Sequence, residues 1–249
     1  MIFTAASGSC PTSYPDSPLV IFEDIAPDFD VDRMIEKILP CSARTMNLFR
    51  RLVSEGAALA KPKAAFKQCR IKCLSEDEVM LGEVLFSSAL LRTNLTGCPW
   101  AFAYVATEGN EPAAWAQNLP GASRAMAWPI RYAALKLAEI KLANYIKSTF
   151  ELKQISSMNP GSLALWPLEQ QAPLFKLLDP LPESIGVHLN STLWMSPDLA
   201  SSGVFFETER KFYNCRLCPL KQCGHRKASF LGPAGWPARQ TQQRGDNYE

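Results

Sequence analysis

The sequence predicts an α+β fold with an antiparallel or mixed sheet packed with helices, and three observations carry that expectation. Trp100–Thr107 (WAFAYVAT) is an unbroken apolar run of strand length and reads as a buried strand. Residues 122–150 form the longest helical pattern, with Ile130, Ala133, Ala134, Leu137 and Ile140 recurring at spacings of three and four. Helical and strand patterns are otherwise mixed, without the regular alternation that a doubly wound parallel sheet requires.

Composition sets the outer limits. The chain has 249 residues, of which 47% are hydrophobic, enough for a substantial core. A net charge of +2 points to neither a nucleic acid nor an acidic partner. No run approaches the roughly 18 apolar residues of a membrane span. The opening MIFTAASGSCPTSYPDSP has no basic region followed by an apolar one, so no signal peptide is read. A cytoplasmic protein with no membrane and no nucleic-acid partner is expected.

Taken in order, residues 1–18 read as a loose Ser/Pro/Thr-rich arm and Leu19–Phe22 as a strand. Asp30 caps a helix over 30–39 with Val31, Met34, Ile35 and Ile38 on one face, and Pro40 ends it. Residues 43–60 make a second helix through Met46, Leu48, Phe49, Leu52, Val53 and Leu59. Residues 65–74 alternate in the manner of a strand. Ser75 and Glu78 have capping-box spacing, although the same run suits a strand and turn. Residues 82–95 read as helix, stopped by Gly97-Cys98-Pro99, and 111–119 as a short helix. In the long helix Pro129 either opens it or kinks it, and Arg131 reads as solvated. Residues 151–155 are a strand, 167–178 a helix, and 185–189, 192–195 and 203–206 short strands or turns.

The stretch 155–206 carries most of the functional signal. Asn159-Pro160-Gly161 is a turn, followed by Pro167-Leu168-Glu169-Gln170-Gln171, by Ile185-Gly186-Val187-His188-Leu189, by Met195-Ser196-Pro197 and by Ser202-Gly203. That succession resembles the activation domain of cobalamin-dependent methionine synthase, in its stand-alone form. Upstream, residues 95–109 (LTGCPWAFAYVATEG) are similar to the strand and turn that precede the long helix of that family. The resemblance implies a curved sheet in an α+β domain over 19–209. It further implies a domain that docks on a corrinoid held by a partner and binds S-adenosylmethionine, so that oxidised cobalt is reduced by one electron and remethylated. Asn159, Pro160, Gly161, Ser162, His188, Met195, Ser202 and Gly203 are the cofactor-binding positions it implies. Where the family has an Arg and a Tyr flanking the Pro-Gly turn, this chain has Ser157 and Ser162. A Ser cannot replace a bidentate cation on a carboxylate.

Eight cysteines occur, and Cys215, Cys218 and Cys223 are bunched within nine residues. Two thiolates three apart chelate one ion from a tight turn, and a third nearby supplies most of a coordination shell. From Arg210 to Lys227 the chain has six Lys and Arg and no acidic residue, a setting that favours thiolates. An iron–sulfur cluster or zinc is the expected occupant, with His225, Cys69, Cys73 or Cys98 as candidates for a fourth ligand; a redox thiol pair and an unliganded tail are the alternatives. The spacing matches neither common ferredoxin run. Residues 210–230 therefore form a cysteine-rich segment and 231–249 a polar tail expected to be disordered.

No Ser/His/Asp set is visible, so no catalytic residue is assigned. His188 alternates with Val187 and Leu189 and points away from them. Trp166 and Trp194 read first as core and secondly as groove walls. The combined expectation is an accessory protein of corrinoid-dependent methyl transfer, with a corrinoid-carrying methyltransferase protein and a reductase as partners. A corrinoid-holding module without chemistry and a metal-clipped adaptor stand as alternatives.

Overall fold

The structure, a computed structural model, describes residues 2–4, 19–23, 25–27, 29, 34, 42–223 and 226–232. Its strands are β1 (Ile2–Thr4), β2 (Leu19–Phe22), β3 (Lys63–Cys73), β4 (Glu78–Leu81), β5 (Val84–Ser87), β6 (Trp100–Thr107), β7 (Ile155–Met158), β8 (His188–Leu189), β9 (Met195–Ser196) and β10 (Ala200–Glu207). The helices are α1 (Ala43–Leu59), α2 (Ala89–Leu95), α3 (Glu111–Asn118), α4 (Gly121–Thr149), α5 (Gln171–Leu178) and α6 (Leu181–Ser184). The expected α+β class holds. The main sheet runs β1-β2-β3-β6-β10-β7, with β4 and β5 added beside β3. Among the described residues only the β1–β2 pair is parallel; the other pairs are antiparallel. A separate hairpin joins β8 to β9.

β6 organises the core because its alternating residues are buried on both sides. Ala101, Ala103 and Val105 face one cluster with Leu174, Leu178, Trp166 and Phe206. Phe102, Tyr104 and Ala106 face another with Leu135, Ala138, Leu142 and Ile146 of α4. A third cluster joins Phe49, Leu52 and Val53 of α1 to Ile130 of α4. Ser42 caps α1, its hydroxyl accepting the Thr45 N–H at 3.2 Å. Among the described residues no helix is long and apolar enough to cross a membrane.

Several expectations need correction. Residues 82–95 are a hairpin turn, β5 and α2, not one helix. Gly82, at φ +59°, turns the chain so that Leu81 pairs with Val84, and the Ser88 hydroxyl starts the helix by accepting the Leu91 N–H. Leu85, counted with the apolar helix face, is 45% exposed on β5. Ser75 leads into a bend and β4, so the strand-and-turn alternative wins over the capping box. The strand expected over 151–155 starts where that expectation ends, at Ile155: α4 closes at Phe150 and Glu151 takes φ +52°. Pro129 lies inside α4. Ile140 is 54% exposed, and Leu135, Leu142 and Ile146 carry the buried face instead. Ile2–Thr4, within the expected arm, pairs with β2. The expected helix 30–39 lies outside the described residues except for Met34, which is helical.

β7 joins the sheet through a close approach at Gly203. A Cβ there would lie 2.2 Å from the Met158 carbonyl oxygen and 2.7 Å from Asn159 Nδ2. Backbone cannot yield as a side-chain tip can, so Gly203→Ala is expected to cost about 2–4 kcal/mol. Urea denaturation midpoints of the two proteins measure it; an unchanged midpoint would mean β7 sits further from β10 than described.

Candidate functional site

The Asn159-Pro160-Gly161 turn follows β7 directly. Gly161 takes φ +77°, its N–H donates to the Trp166 carbonyl at 2.8 Å, and a Cβ on it would meet Leu168 Cδ1 at 2.9 Å. The turn positions Asn159, whose side-chain Nδ2 donates to the Ser202 carbonyl at 2.6 Å and to the Tyr104 phenol oxygen at 2.8 Å. Tyr104 OH lies 3.4 Å from Ser201 Oγ, and its ring stacks on Phe205 at 4.3 Å. Ser157 is paired in register with Phe205 and so shares that face. Asn159, Pro160, Gly161, Ser162, Ser202 and Gly203 thus lie near one another where β7 ends beside β10.

Within that edge their roles differ. Ser202 points to the opposite face from Tyr104 and is buried, with a hydroxyl that has no partner among the described residues. Ser162 is exposed. The other two expected residues lie on the β8–β9 hairpin. His188, opposite Ser196, is exposed, while Met195 packs against the core cluster. Trp166 is fully buried against Phe86, whereas Trp194 is 68% exposed at the hairpin tip. Asn190 Oδ1 fixes that tip by accepting from Thr192 N, Thr192 Oγ1 and Trp194 N.

Charged residues that the sequence did not single out complete the edge. Lys136 and Glu139 of α4 form an ion pair whose side chains are 32% and 16% exposed. Lys136 Nζ sits 5.1 Å over the Tyr132 ring, which stacks parallel on Trp128. Burial pushes the Tyr104 phenol well above its ordinary range, and the nearby Glu139 carboxylate pushes it further. The phenol therefore stays protonated and serves as a hydrogen-bonding group, not a base. Burial works against the Lys136 ammonium, but Glu139 outweighs it and holds the lysine charged. The patch offers an amide, two hydroxyls and a fixed pair of opposite charges. Such a set suits a zwitterionic ligand.

Arg131 is not solvated, contrary to expectation. It is 7% exposed, and its Nε donates to Glu108 Oε1 at 2.8 Å while Nη2 bonds both Glu108 and the exposed Asp198. A guanidinium on an Ala-rich helix gives no sequence signal of burial; its acidic partners come from the end of β6 and the approach to β10. Burial raises the Glu108 carboxyl from 4.5 to about 7, with Arg131 opposing the shift. Its second oxygen has no partner among the described residues.

The cysteine segment is anchored by Phe212 and Leu217, both buried, with Cys218 packed against the same core. Arg226 donates to the carbonyls of Cys215 at 2.8 Å and Cys218 at 3.3 Å and also bonds that of Leu220. The Lys227 N–H donates to Cys215 Sγ at 3.3 Å. Among the described residues no three Cys, His, Asp or Glu side chains converge on a common metal position. His225 and the tail beyond Gly232 lie outside the described residues.

With the geometry in place, comparison identifies the fold. No family model matches the sequence, and no curated protein matches it at the sequence level. Among solved structures the chain is similar to the MetH reactivation domain bound to AdoHcy, with TM-score 0.63 and 13% identity over 84% of this chain and 86% of that one. The expected fold is therefore present, at a sequence identity that shows the fold alone.

A pH dependence follows from Glu108. Its folded value near 7 lies above the ordinary 4.5, so the folded state holds an extra proton between these values. Stability is full below about pH 4.5 with respect to this group and falls as pH rises through 7, by on the order of 2 kcal/mol. Urea titrations across pH 4.5–8 measure the slope, and Glu108→Gln is expected to flatten it. A slope unchanged in the variant would place its origin elsewhere.

Proposed function

We propose that this chain is an accessory protein of corrinoid-dependent methyl transfer, which docks on a corrinoid-carrying protein and assists the reductive reactivation of its cobalt. The observation that carries the reading is the shared fold with the MetH reactivation domain, a domain solved with AdoHcy bound, across 84% of the chain. The Asn159-Pro160-Gly161 turn and the Gly203 approach support it, because they shape the same edge that the resemblance marks as the ligand site.

S-adenosylmethionine supplies a methyl group when bound, and the chain's residues would only hold and orient it. Ser157 removes the expected cation from the turn. Lys136 provides a positive charge on the neighbouring helix, and Glu139 provides a carboxylate for an ammonium. The pair would bind the amino-acid end of such a ligand, with Tyr104 and Asn159 as neutral hydrogen-bonding partners. Ser157 and Ser162 also favour a second reading, a module that engages a corrinoid protein without holding the methyl donor.

Calorimetric titration of the full chain with S-adenosylmethionine and with AdoHcy separates the two readings. Saturable binding, weakened about tenfold by Glu139→Gln, is expected on the first. Neither heat nor a thermal shift with either ligand leaves the second. Mixing with corrinoid proteins and following the cobalt absorption tests both; no complex and no spectral change would sink them together.

The cysteine segment fits the same role as an electron-delivery or docking element. To hold an iron–sulfur cluster or zinc, Cys215, Cys218 and Cys223, which do not converge among the described residues, would have to close together, with Arg226 fixing the loop carbonyls around them. Anoxically purified protein is expected to carry iron with sulfide, or about one zinc per chain. Replacing the three cysteines by serine should remove it. Metal content below one-tenth per chain in the unmutated protein would discard the site.

A further inference from the structure

The helix α4 carries an aromatic ladder that leads away from the polar edge. Trp128, Tyr132 and Lys136 recur at intervals of four, which brings them onto one side of the helix. The Trp128 and Tyr132 rings stack nearly parallel, with centroids 5.0 Å apart and planes 9° apart, and Lys136 Nζ stands 5.1 Å over the Tyr132 ring. Lys136 is in turn paired with Glu139. The ladder thus starts at the charged pair of the candidate site and ends at Trp128, which is 43% exposed. From Lys136 to Trp128 the helix rises about 12 Å, at roughly 1.5 Å per residue.

A second group stands at the Trp128 end. Arg131 bonds both Glu108 and Asp198. Glu108 is wholly buried, whereas the Asp198 side chain is 70% exposed. Residues three apart are neighbours on a helix surface, so the Arg131 guanidinium holds an outward-facing carboxylate beside Trp128. An exposed indole face stacks on flat heteroaromatic rings. A fixed carboxylate accepts hydrogen bonds from a vicinal diol, as acidic residues do on the ribose of bound dinucleotides. The Lys136–Glu139 pair offers the opposite charges that an amino acid needs. Ring acceptor, diol acceptor and zwitterion acceptor therefore follow one another along α4.

We propose that Trp128 and Asp198 form a nucleoside subsite, Trp128 stacking on the base and Asp198 accepting from the ribose hydroxyls, continuous with the amino-acid end at Lys136 and Glu139. The assignment rests on the reading above, because it places the far end of the same ligand class. It goes further in moving the grip on that ligand from the turn, where Ser157 and Ser162 stand, to one side of α4 and the residue that precedes β10 by two.

The test uses the 15N-labelled full chain with adenosine, L-methionine and AdoHcy as probes. Adenosine is expected to shift the Trp128 indole resonance saturably at millimolar concentration. Trp128→Leu should weaken adenosine about tenfold and leave methionine unchanged, while Trp128→Phe, which keeps a ring face, should retain most of the affinity. Asp198→Asn should weaken adenosine and leave 2′,3′-dideoxyadenosine unchanged, a contrast that a purely structural Asp198–Arg131 contact does not produce. A saturable adenosine shift at Trp128 with no binding of AdoHcy keeps the subsite and removes the methyl-donor reading. AdoHcy bound equally by the parent protein and Trp128→Leu does the reverse: it keeps that reading and overturns the subsite. Absence of a saturable adenosine shift at the Trp128 indole also overturns it.

Discussion

Burial of β6 on both faces is the constraint on which the remaining structure depends. A strand flanked by β3 and β10 and covered front and back pairs on both sides and buries every side chain but that of Trp100. Ala101, Ala103 and Val105 are small, which lets α5 and the Trp166 layer come close on one side. Phe102 and Tyr104 are large, and α4 covers them with Ala138, Leu142 and Ile146. The two packing layers are therefore set by one alternation along eight residues.

Polar chemistry is confined to where that apolar sandwich ends. At the C-terminal end of β6, Glu108 and Arg131 are forced together because neither has access to water, and Asp198 reaches them from outside. Such a pair is costly to break and contributes more to orientation than to net stability. It ties α4 to the start of β10, the strand that carries Gly203. Four residues earlier on β6, Tyr104 meets Asn159 in the polar edge to which the functional reading attaches.

The outer elements follow from this arrangement. Gly203 admits β7, β7 delivers the Pro160-Gly161 turn, and the turn holds Asn159 against the Ser202 carbonyl. The β8–β9 hairpin packs Met195 against the core and presents Trp194 on a tip fixed by Asn190. The cysteine segment is held to the body by Phe212 and Leu217, and its loop carbonyls turn inward onto the Arg226 guanidinium. These parts have few apolar contacts of their own and depend on the central layers for position.

Much of this was legible in the residues themselves. The β6 strand, α1, α3, the extent of α4 and the α+β class follow from hydrophobic period and from Gly and Pro breaks, which are local properties of the chain. The succession of turns from Asn159 to Gly203 was enough to point to the fold later found in the MetH reactivation domain. Other features were not legible, for identifiable reasons. The stretch 82–95 satisfies both helical and strand spacing, and only the pairing of β4 with β3 decides between them. Ile140 and Leu142 are equivalent as residue types, and the helix's rotation against the sheet decides which is buried. Arg131, Lys136 and Glu139 look like an ordinary solvated helix face until the sheet is placed beneath them. By itself the sequence determined most of the extended and helical segments, β6 and the long helix α4 above all, because those patterns depend on neighbours within a few residues. Only the tertiary structure decided which polar groups lose water and which partners they then meet, because those partners lie 23 residues away at Glu108 and 67 away at Asp198.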